Sequence, residues 1–307
     1  MSTTIETPIG AAQTMVLNMG PQHPSTHGVL RVVLELNGEM VVKAESIIGY
    51  LHTGIEKSCE AKTYSQVITL TDRIDYLSPL SNNLGYCLAV EKILGLEVPK
   101  RAQYIRVLLT ELTRCASHLV WVGTHAIDLG AMTVFLYSFR EREEILKIFE
   151  YLSGQRMMTS YFRIGGLALE PPPGWLDKVQ RVVDSLPGHI DEYEDLLTKN
   201  KIWLGRTQGV GIISAADAIA MGCSGPMLRG SGVAYDVRKA FPYSSYDEFD
   251  FNVQTQTAGD CYARYQVRVA EIRESIKIVK QAMQKIPGEG PFRAEVPGII
   301  PPSREEM

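Results

Sequence analysis

Residues 261–286 read CYARYQVRVAEIRESIKIVKQAMQKI. Tyr262, Tyr265, Val269, Ile272, Ile276, Val279, Met283 and Ile286 recur at alternating steps of three and four. Such steps return to one face of an α-helix, and an apolar seam of this kind needs another helix to cover it. Arg264, Arg268, Arg273, Lys277 and Lys280 lie off the seam. The stretch therefore predicts a core helix of a helical bundle rather than a free coiled coil.

The neighbouring segments supply the covering helices. Residues 49–286 carry a helical pattern, interrupted by an irregular, glycine-rich segment at 204–257. Pro79 can open a helix that runs to Gly95, a residue suited to the position just past a helix end. Pro99 opens a longer one. Its apolar face takes Ile105, Leu108, Leu109, Leu112, Cys115, Leu119 and Val122, and Gly130 interrupts it. A further helix is expected over 134–153, with Glu143 and Lys147 as an i,i+4 pair. Pro171-Pro172-Pro173-Gly174 is a hard break. Helix returns over 175–199, with Pro187 marking a kink or boundary.

The chain start differs. Residues 1–13 are polar and read as a loose N-terminus. Residues 14–48 read as a small antiparallel β region. Val29–Leu36 and Met40–Ala44 are β-rich runs joined through Asn37-Gly38, a dipeptide that favours the positive φ of a tight hairpin. Thr14–Met19 can be a short strand, and between it and this hairpin lies GPQHPSTHG (20–28), which Pro21 and Pro24 keep out of regular structure. At the other end, residues 287–307 form a proline-rich tail without apolar period, read as a linker or arm. The fold class expected is mainly α with a small N-terminal antiparallel sheet.

Composition narrows the function. The chain has 307 residues, 45% hydrophobic and 21% charged, with 26 Gly and 16 Pro. That is ordinary for a globular protein and argues against long disorder, collagen or many membrane spans. At about 150 residues per domain the length alone suggests two domains or one large one. The net charge is −4, which speaks against a nucleic-acid partner. The first 20 residues have no basic and apolar signal-peptide pattern. Between Arg114 and Arg140 the only formal charge is Asp128. An ionised carboxylate inside a membrane span is costly, so this stretch reads as a helix buried in protein. The cysteines are Cys59, Cys87, Cys115, Cys223 and Cys261. None forms a C-x-x-C pair, so no metal or iron–sulfur cluster held by this chain alone is expected. Five reduced, mostly buried thiols are the plainer expectation.

Individual motifs are weak. Gly209-Val-Gly211-Ile-Ile-Ser214 looks like a dinucleotide loop, but lacks the third glycine and any β-α-β context. A tight turn into a helix is favoured. Lys201–Arg206, Arg229 and Arg238-Lys239 read as a solvated or subunit-facing basic surface. His23 and His27 sit in a proline-broken loop. They lack the partners of a metal site, and they are either structural or hydrogen-bond donors able to deliver a proton. Tyr76, in DRIDYLSP, is ambiguous between a core-edge residue and a functional one. Asp128 in its apolar run needs a partner, and a histidine–carboxylate pair is the natural inference.

Together these stretches carry a resemblance. LNMGPQHPSTHGVLR (17–31), GYLHTGIEK (49–57), TDRIDYLSP (71–79), PKRAQYIRVLLTEL (99–112), DLGAMT (128–133), FREREEI (139–145), YFRIGG (161–166), SGPMLRGSG (224–232) and YDVRKAFPY (235–243) resemble the D-subunit family of bacterial NADH–quinone oxidoreductase. The family also includes the 49-kilodalton subunit of mitochondrial complex I and the H subunit of the chloroplast enzyme. It is similar in turn to the large subunit of nickel–iron hydrogenases. The resemblance implies a hydrogenase-like helical bundle. Arg73-Ile74-Asp75-Tyr76 stands where a hydrogenase has its first cysteine pair, which would place Tyr76 in a former metal cavity now used by quinone.

The resemblance also implies a division of labour. NADH is oxidised on flavin in another subunit, and electrons reach a terminal 4Fe-4S cluster held by the B subunit. This subunit helps pass them to quinone, coupled to proton translocation, and is not active alone. Subunits B, C, H and I are implied as partners, with membrane contact through H. The implied location is peripheral, on the cytoplasmic side of the bacterial cell membrane. By resemblance His27 and Tyr76 hydrogen-bond the two quinone carbonyls, ubiquinone or menaquinone, and Asp128 pairs with His27. Donors at those oxygens stabilise the charge that reduction places there, and both groups carry the protons that follow.

Three departures stand out. Met158 and Thr159 replace a family histidine beside the terminal cluster, which leads us to expect a weakly pH-dependent cluster potential and a low-potential quinone such as menaquinone. Thr53 stands where mitochondrial members have arginine, a change that nothing explains. The chain stops at PPSREEM (301–307), where the family is expected to continue. The alternatives are a non-catalytic assembly or scaffold paralogue, which the early stop favours and the presence of His27, Tyr76 and Asp128 opposes, and a hydrogenase-type large subunit, which the missing cysteine pairs oppose.

Overall fold

The computed structural model describes residues 14–296. The expected loose segment 1–13 and the end of the tail, 297–307, lie outside the described residues. The chain divides into two compact units, Met1–Ser58 and Cys59–Met307.

The first unit is a three-stranded antiparallel sheet in the order β1 (Met15–Met19), β2 (Arg31–Asn37), β3 (Met40–Ile47). Asn37 pairs with Met40, so Gly38 and Glu39 form a two-residue hairpin loop, with Gly38 at φ +63. The register slips between Glu35 and Leu36. This bulge leaves Val42 without an opposite residue. Pairing puts Leu17 opposite Leu34 and Leu34 opposite Ala44. One face is thus apolar, with Met15, Leu17, Met19, Val32 and Leu34. The other carries Asn18, Glu35, Lys43 and Glu45, as the period of two dictates. The loop 20–28 is not wholly irregular, because Pro24–Thr26 closes one 3₁₀ turn. Gly20 is needed there. Its φ is +78, and a Cβ would lie 2.1 Å from the Leu30 carbonyl oxygen.

Helices follow in the order α1 (Ile55–Cys59), α2 (Tyr64–Thr71), α3 (Pro79–Leu94), α4 (Lys100–Asp128) and α5 (Met132–Ser153). A short hairpin comes next, β4 (Phe162–Arg163) with β5 (Gly166–Leu167). Then come α6 (Trp175–Leu197), α7 (Lys201–Thr207), α8 (Ala215–Ala220), α9 (Gly225–Arg229), α10 (Val237–Ala240) and α11 (Cys261–Lys285). The chain is mainly α with a small antiparallel sheet. In the second unit α4 packs on α5 and α11, and α6 packs on the same two. The four helices form a closed ring around one core, the bundle that the seam of 261–286 requires.

Local chemistry explains the boundaries. Pro79 sits in the first turn of α3, and Gly95 ends it at φ +63. The N–H of Leu96 there bonds the Glu91 carbonyl at 3.0 Å, the C-terminal motif that glycine permits. Asp260 caps α11, accepting from the Ala263 N–H at 2.7 Å. Gly123 lets α4 and α5 approach, because a Cβ would lie 2.2 Å from Ser138 Oγ.

Several expectations are corrected. Pro187 lies inside α6, which continues through it, so of the two expected roles it marks no boundary. Glu143 pairs with Arg156 at 2.5 Å, while Lys147 takes Glu144 at 2.6 Å. Arg229 and Arg238 do not form a basic surface. Both are buried, in ion pairs with Glu271 at 2.6 Å and with Asp236 and Glu111 at 2.6 and 3.1 Å. The glycine-rich segment is also more ordered than its composition suggests. Ser214 accepts from the Asp217 N–H and caps α8, so Gly209–Ser214 is a turn into a helix. Beyond α11, Phe292 and Ala294 bond Leu167 and Gly165 at 3.0 and 2.9 Å.

Candidate functional site

Tyr76 lies in the turn between α2 and α3. The Asp75 carboxylate accepts from the Leu77 N–H at 3.1 Å, and the Asp75 carbonyl accepts from the Ser78 N–H at 3.0 Å. Asn82 Nδ2 adds a bond of 3.0 Å to the same carbonyl. This lifts Tyr76 onto the apex, 45% exposed. The turn is anchored from below by Asp72, which is fully buried. Ser160 donates to its carboxylate from the backbone N–H at 2.9 Å and from Oγ at 2.5 Å. Burial nonetheless pushes the Asp72 carboxyl up from its ordinary range. Arg73-Ile74-Asp75-Tyr76 is thus a rigidly footed, solvent-facing turn that presents a phenol donor.

Asp128 is the last residue of α4 and is exposed. The chain then turns at Gly130, φ +90, and the N–H of Ala131 bonds the Ala126 carbonyl at 2.8 Å. From α7, Arg206 donates to the Leu129 carbonyl at 2.9 Å. One turn back, His125 stacks on Trp121 at 4.6 Å and meets Trp203 edge-on at 5.3 Å. Its Nε2 is buried with no hydrogen-bond partner. Burial lowers the His125 pKa, the Asp128 charge opposes that shift, and Arg268 and Arg264 add to it.

His27 belongs to the first unit. It ends the 3₁₀ turn in the left-handed region, φ +51, with its N–H on the Pro24 carbonyl at 3.1 Å. The ring is exposed. His23 plays the structural part: its Nδ1 accepts from the Ser25 N–H at 3.1 Å. Tyr76 and Asp128 therefore share the second unit, while His27 sits in the first.

The sequence reading missed a buried charge cluster between α4, α10 and α11. Glu111 is fully buried and accepts from Arg238 at 3.1 Å, Ser275 at 2.6 Å and Tyr246 at 2.5 Å. Burial works against its charge, but Arg114, Arg238 and these hydrogen bonds overcome it and hold the carboxyl well below its usual range. Beside it, His118 Nε2 lies 2.7 Å from Glu271. The available signal was spacing: Glu111, Arg114, His118, Trp121, His125 and Asp128 follow steps of 3, 4, 3, 4 and 3. Another buried pair, Arg106 with Glu91 at 2.6 Å, ties α3 and α4 to the β4–β5 hairpin through the Gly166 and Arg163 carbonyls.

The thiols were expected to be mostly buried, but Cys59, Cys223 and Cys261 are partly exposed. All five are free thiols. Cys87 and Cys115 are buried within α3 and α4, and burial pushes the Cys87 thiol up to about 12. A cluster ligand must be a thiolate. Among the described residues no three His, Cys, Asp or Glu side chains are placed to hold a metal, and no helix is long and apolar enough to cross a membrane.

The fold defines a mainly α protein, a helical bundle with a small antiparallel sheet at its start and an exposed tyrosine on the turn between α2 and α3. The family of the 49-kilodalton subunit of respiratory-chain NADH dehydrogenase matches residues 128–307. The D 2 subunit of NADH-quinone oxidoreductase from Koribacter versatilis is 63% identical over 97% of this chain and 74% of its own length. The D 1 subunit from Solibacter usitatus is 64% identical over 95% and 71%. The D subunit from Citrifermentans bemidjiense is 56% identical over 97% and 76%. The chain belongs to this family, the D or 49-kilodalton subunits of NADH-quinone oxidoreductase.

Proposed function

We propose that this chain forms part of the quinone site of NADH-quinone oxidoreductase, with His27, Tyr76 and Asp128 as the working residues. The observation that carries the reading is Tyr76, an exposed phenol on a turn tied down by Asp72, Asp75 and Asn82. A fixed donor costs little reorganisation when charge develops on a carbonyl oxygen. Reduction of a quinone takes two electrons and two protons. Electrons arrive from an iron–sulfur cluster that a partner subunit holds, in keeping with a chain that has no C-x-x-C pair. Protons are the task of this chain: Tyr76 Oη serves one carbonyl and His27 the other. Asp128 steadies the charged form of His27, as a carboxylate does for an imidazolium. Loss of the His27 proton changes the charge that Asp128 meets, and this change of charge couples quinone reduction to proton translocation. Subunits B, C, H and I complete the assembly, with H giving the membrane contact on the cytoplasmic side.

The test is Asp128→Asn in the assembled complex. Quinone reduction should slow by about 10²-fold, the usual scale for a lost proton-transfer group, while assembly survives. Normal turnover with normal pumping would refute the reading. A photoreactive quinone analogue should also label Tyr76, and labelling confined to other subunits would count against it.

A further inference from the structure

The β4–β5 hairpin carries a pair of charges that nothing above uses. Arg163 pairs with Gly166, and Gly166 pairs in turn with Arg293 from the chain beyond α11. Residues directly opposite one another in an antiparallel sheet point to the same face. Arg163 and Arg293 therefore stand on one face, two strand spacings or about 10 Å apart at Cα. Gly166 lies between them and puts no side chain in the gap. The opposite face, Phe162 and Leu167, is fully buried in the core. The hairpin is also firmly mounted. Arg106 donates to the Arg163 carbonyl at 2.6 Å and to the Gly166 carbonyl at 3.0 Å. The N–H groups of Leu167 and Ala294 bond the Phe292 and Gly165 carbonyls at 3.0 and 2.9 Å.

Both arginines line one cavity of about 540 Å³. Among the described residues neither guanidinium has a hydrogen bond or an ion pair. Carboxylates next to the hairpin are taken, Glu91 by Arg106 at 2.6 Å and Glu170 by Arg101 at 2.5 Å. This sets the pair apart from Arg106, Arg229 and Arg238, each of which is matched to a carboxylate. Thr159 lines the same cavity and is buried. Its Oγ1 accepts from the Tyr161 N–H at 3.4 Å, and among the described residues its own proton has no acceptor. Two guanidiniums and a hydroxyl thus border one cavity with no carboxylate bound to any of them. Ile68, Ile164 and Leu169 give that cavity an apolar floor.

We infer that this cavity binds an organic diphosphate, with Arg163, Arg293 and Thr159 holding the diphosphate group and Ile68, Ile164 and Leu169 covering an apolar body. An arginine fork takes two oxygens of a carboxylate or a phosphate in parallel hydrogen bonds. One carboxylate has a single pair of oxygens and fills one fork. Two forks and a hydroxyl call for more acceptors at close range, and for more than one negative charge. A diphosphate supplies both, and arginine arms leaning together over Gly166 bracket it from two sides. The backbone has no rearrangement to make, because the sheet already fixes both arginines at Cα. Donors held in place before the ligand arrives lose little on binding. None of the residues assigned to the quinone lines this cavity, so the inference stands independently of that reading.

Titration calorimetry on the purified chain tests the inference, with inorganic diphosphate and geranyl diphosphate as probes. Both should bind, and geranyl diphosphate about tenfold more tightly, because its chain removes apolar surface from water. Arg163→Gln and Arg293→Gln should each weaken both probes by about tenfold, the scale of a lost charge-assisted pair. Arg156→Gln is the control, since that guanidinium sits on Glu143 and does not line the cavity. No binding of either probe, or an equal loss in Arg156→Gln, would overturn the site. Geranyl diphosphate no tighter than inorganic diphosphate, or ADP as tight as geranyl diphosphate, would overturn the apolar body. Hydrogen exchange on the wild-type chain avoids dependence on how the variants fold. Geranyl diphosphate should slow exchange at Leu167 and Ala294, whose N–H groups tie the hairpin to residues 292–294. Unchanged exchange at saturating probe would also overturn the inference.

Discussion

The sheet of residues 15–47 and the bundle built on α4 bury their residues in opposite ways. Along α4, Ile105, Leu108, Leu109, Leu112, Cys115 and Leu119 are all fully or nearly fully buried. Along β3, from Met40 to Ser46, every residue is exposed, and in the whole described part of the first unit only Thr26 is buried. Both units carry apolar residues, but among the described residues only the second buries a core of its own. A helical stripe finds two neighbours in a ring, whereas among the described residues of its own unit the three-stranded sheet has nothing that buries its apolar face. Stability in this chain therefore resides in the bundle, while His27 is carried on the part with the least internal support.

The largest effect should come from Glu111. Replacing it with alanine leaves Arg114, Tyr246 and Ser275 without its carboxylate and Arg238 with Asp236 alone, a loss of about 3 to 5 kcal/mol for a broken buried ion pair. Denaturant unfolding of the purified chain would measure it. The same carboxylate gives the bundle an acid-sensitive stability. Its folded pKa is depressed, so its contribution is complete above the ordinary carboxylate range of about 4.3 and is lost as pH falls through the folded value. Glu111→Gln should flatten that acid limb. A wild-type chain with equal stability at neutral pH and in strong acid would contradict the assignment.

Next in size is Gly166→Ala. A Cβ there would lie 2.2 Å from the Phe292 carbonyl oxygen and 2.7 Å from Arg293 Cα. Both are backbone atoms that cannot rotate away. The cost should be about 1 to 3 kcal/mol, the range for overpacking, and hydrogen exchange should rise at Leu167 and Ala294. Unchanged exchange would show that residues 292–294 are not held by this hairpin.

How much was legible follows the same division. The bundle declared itself because its helices repeat apolar residues at three and four, and because Pro79, Gly95 and Gly154 mark ends that glycine and proline alone explain. The hairpin turn at Gly38 was legible for the same local reason. The buried ion pairs were not. Arg229 and Arg238 look like surface residues in a glycine-rich stretch, and their partners Glu271 and Glu111 lie 42 and 127 residues away. No local pattern encodes a contact at that separation. At the site, Tyr76 was ambiguous and Asp128 an oddity in an apolar run, and only the family resemblance gave them roles. The turn that lifts Tyr76 depends on Asp75 and Asn82, and the aromatic setting of His125 depends on Trp203, which arrives from α7.

The smallest effects should come from the sheet, and neighbouring residues there make the sharper test. Val16 is 65% exposed and lies on the polar face opposite Glu35, whereas Leu17 is 40% exposed and lies on the apolar face opposite Leu34. Val16→Thr keeps the β-branched shape and removes little buried surface, so the purified chain should lose less than about 0.5 kcal/mol. Leu17→Thr gives up apolar contact with Leu34, but a side chain already this accessible has only part of its usual 1.5 to 3 kcal/mol to lose, about 1 kcal/mol. Both changes are read from chemical denaturation of the same chain. If Leu17→Thr cost as much as a substitution at Leu108 or Leu112, the sheet would have a core of its own and the contrast between the two units would fail. If it costs about as little as Val16→Thr, the apolar face contributes almost nothing within this chain.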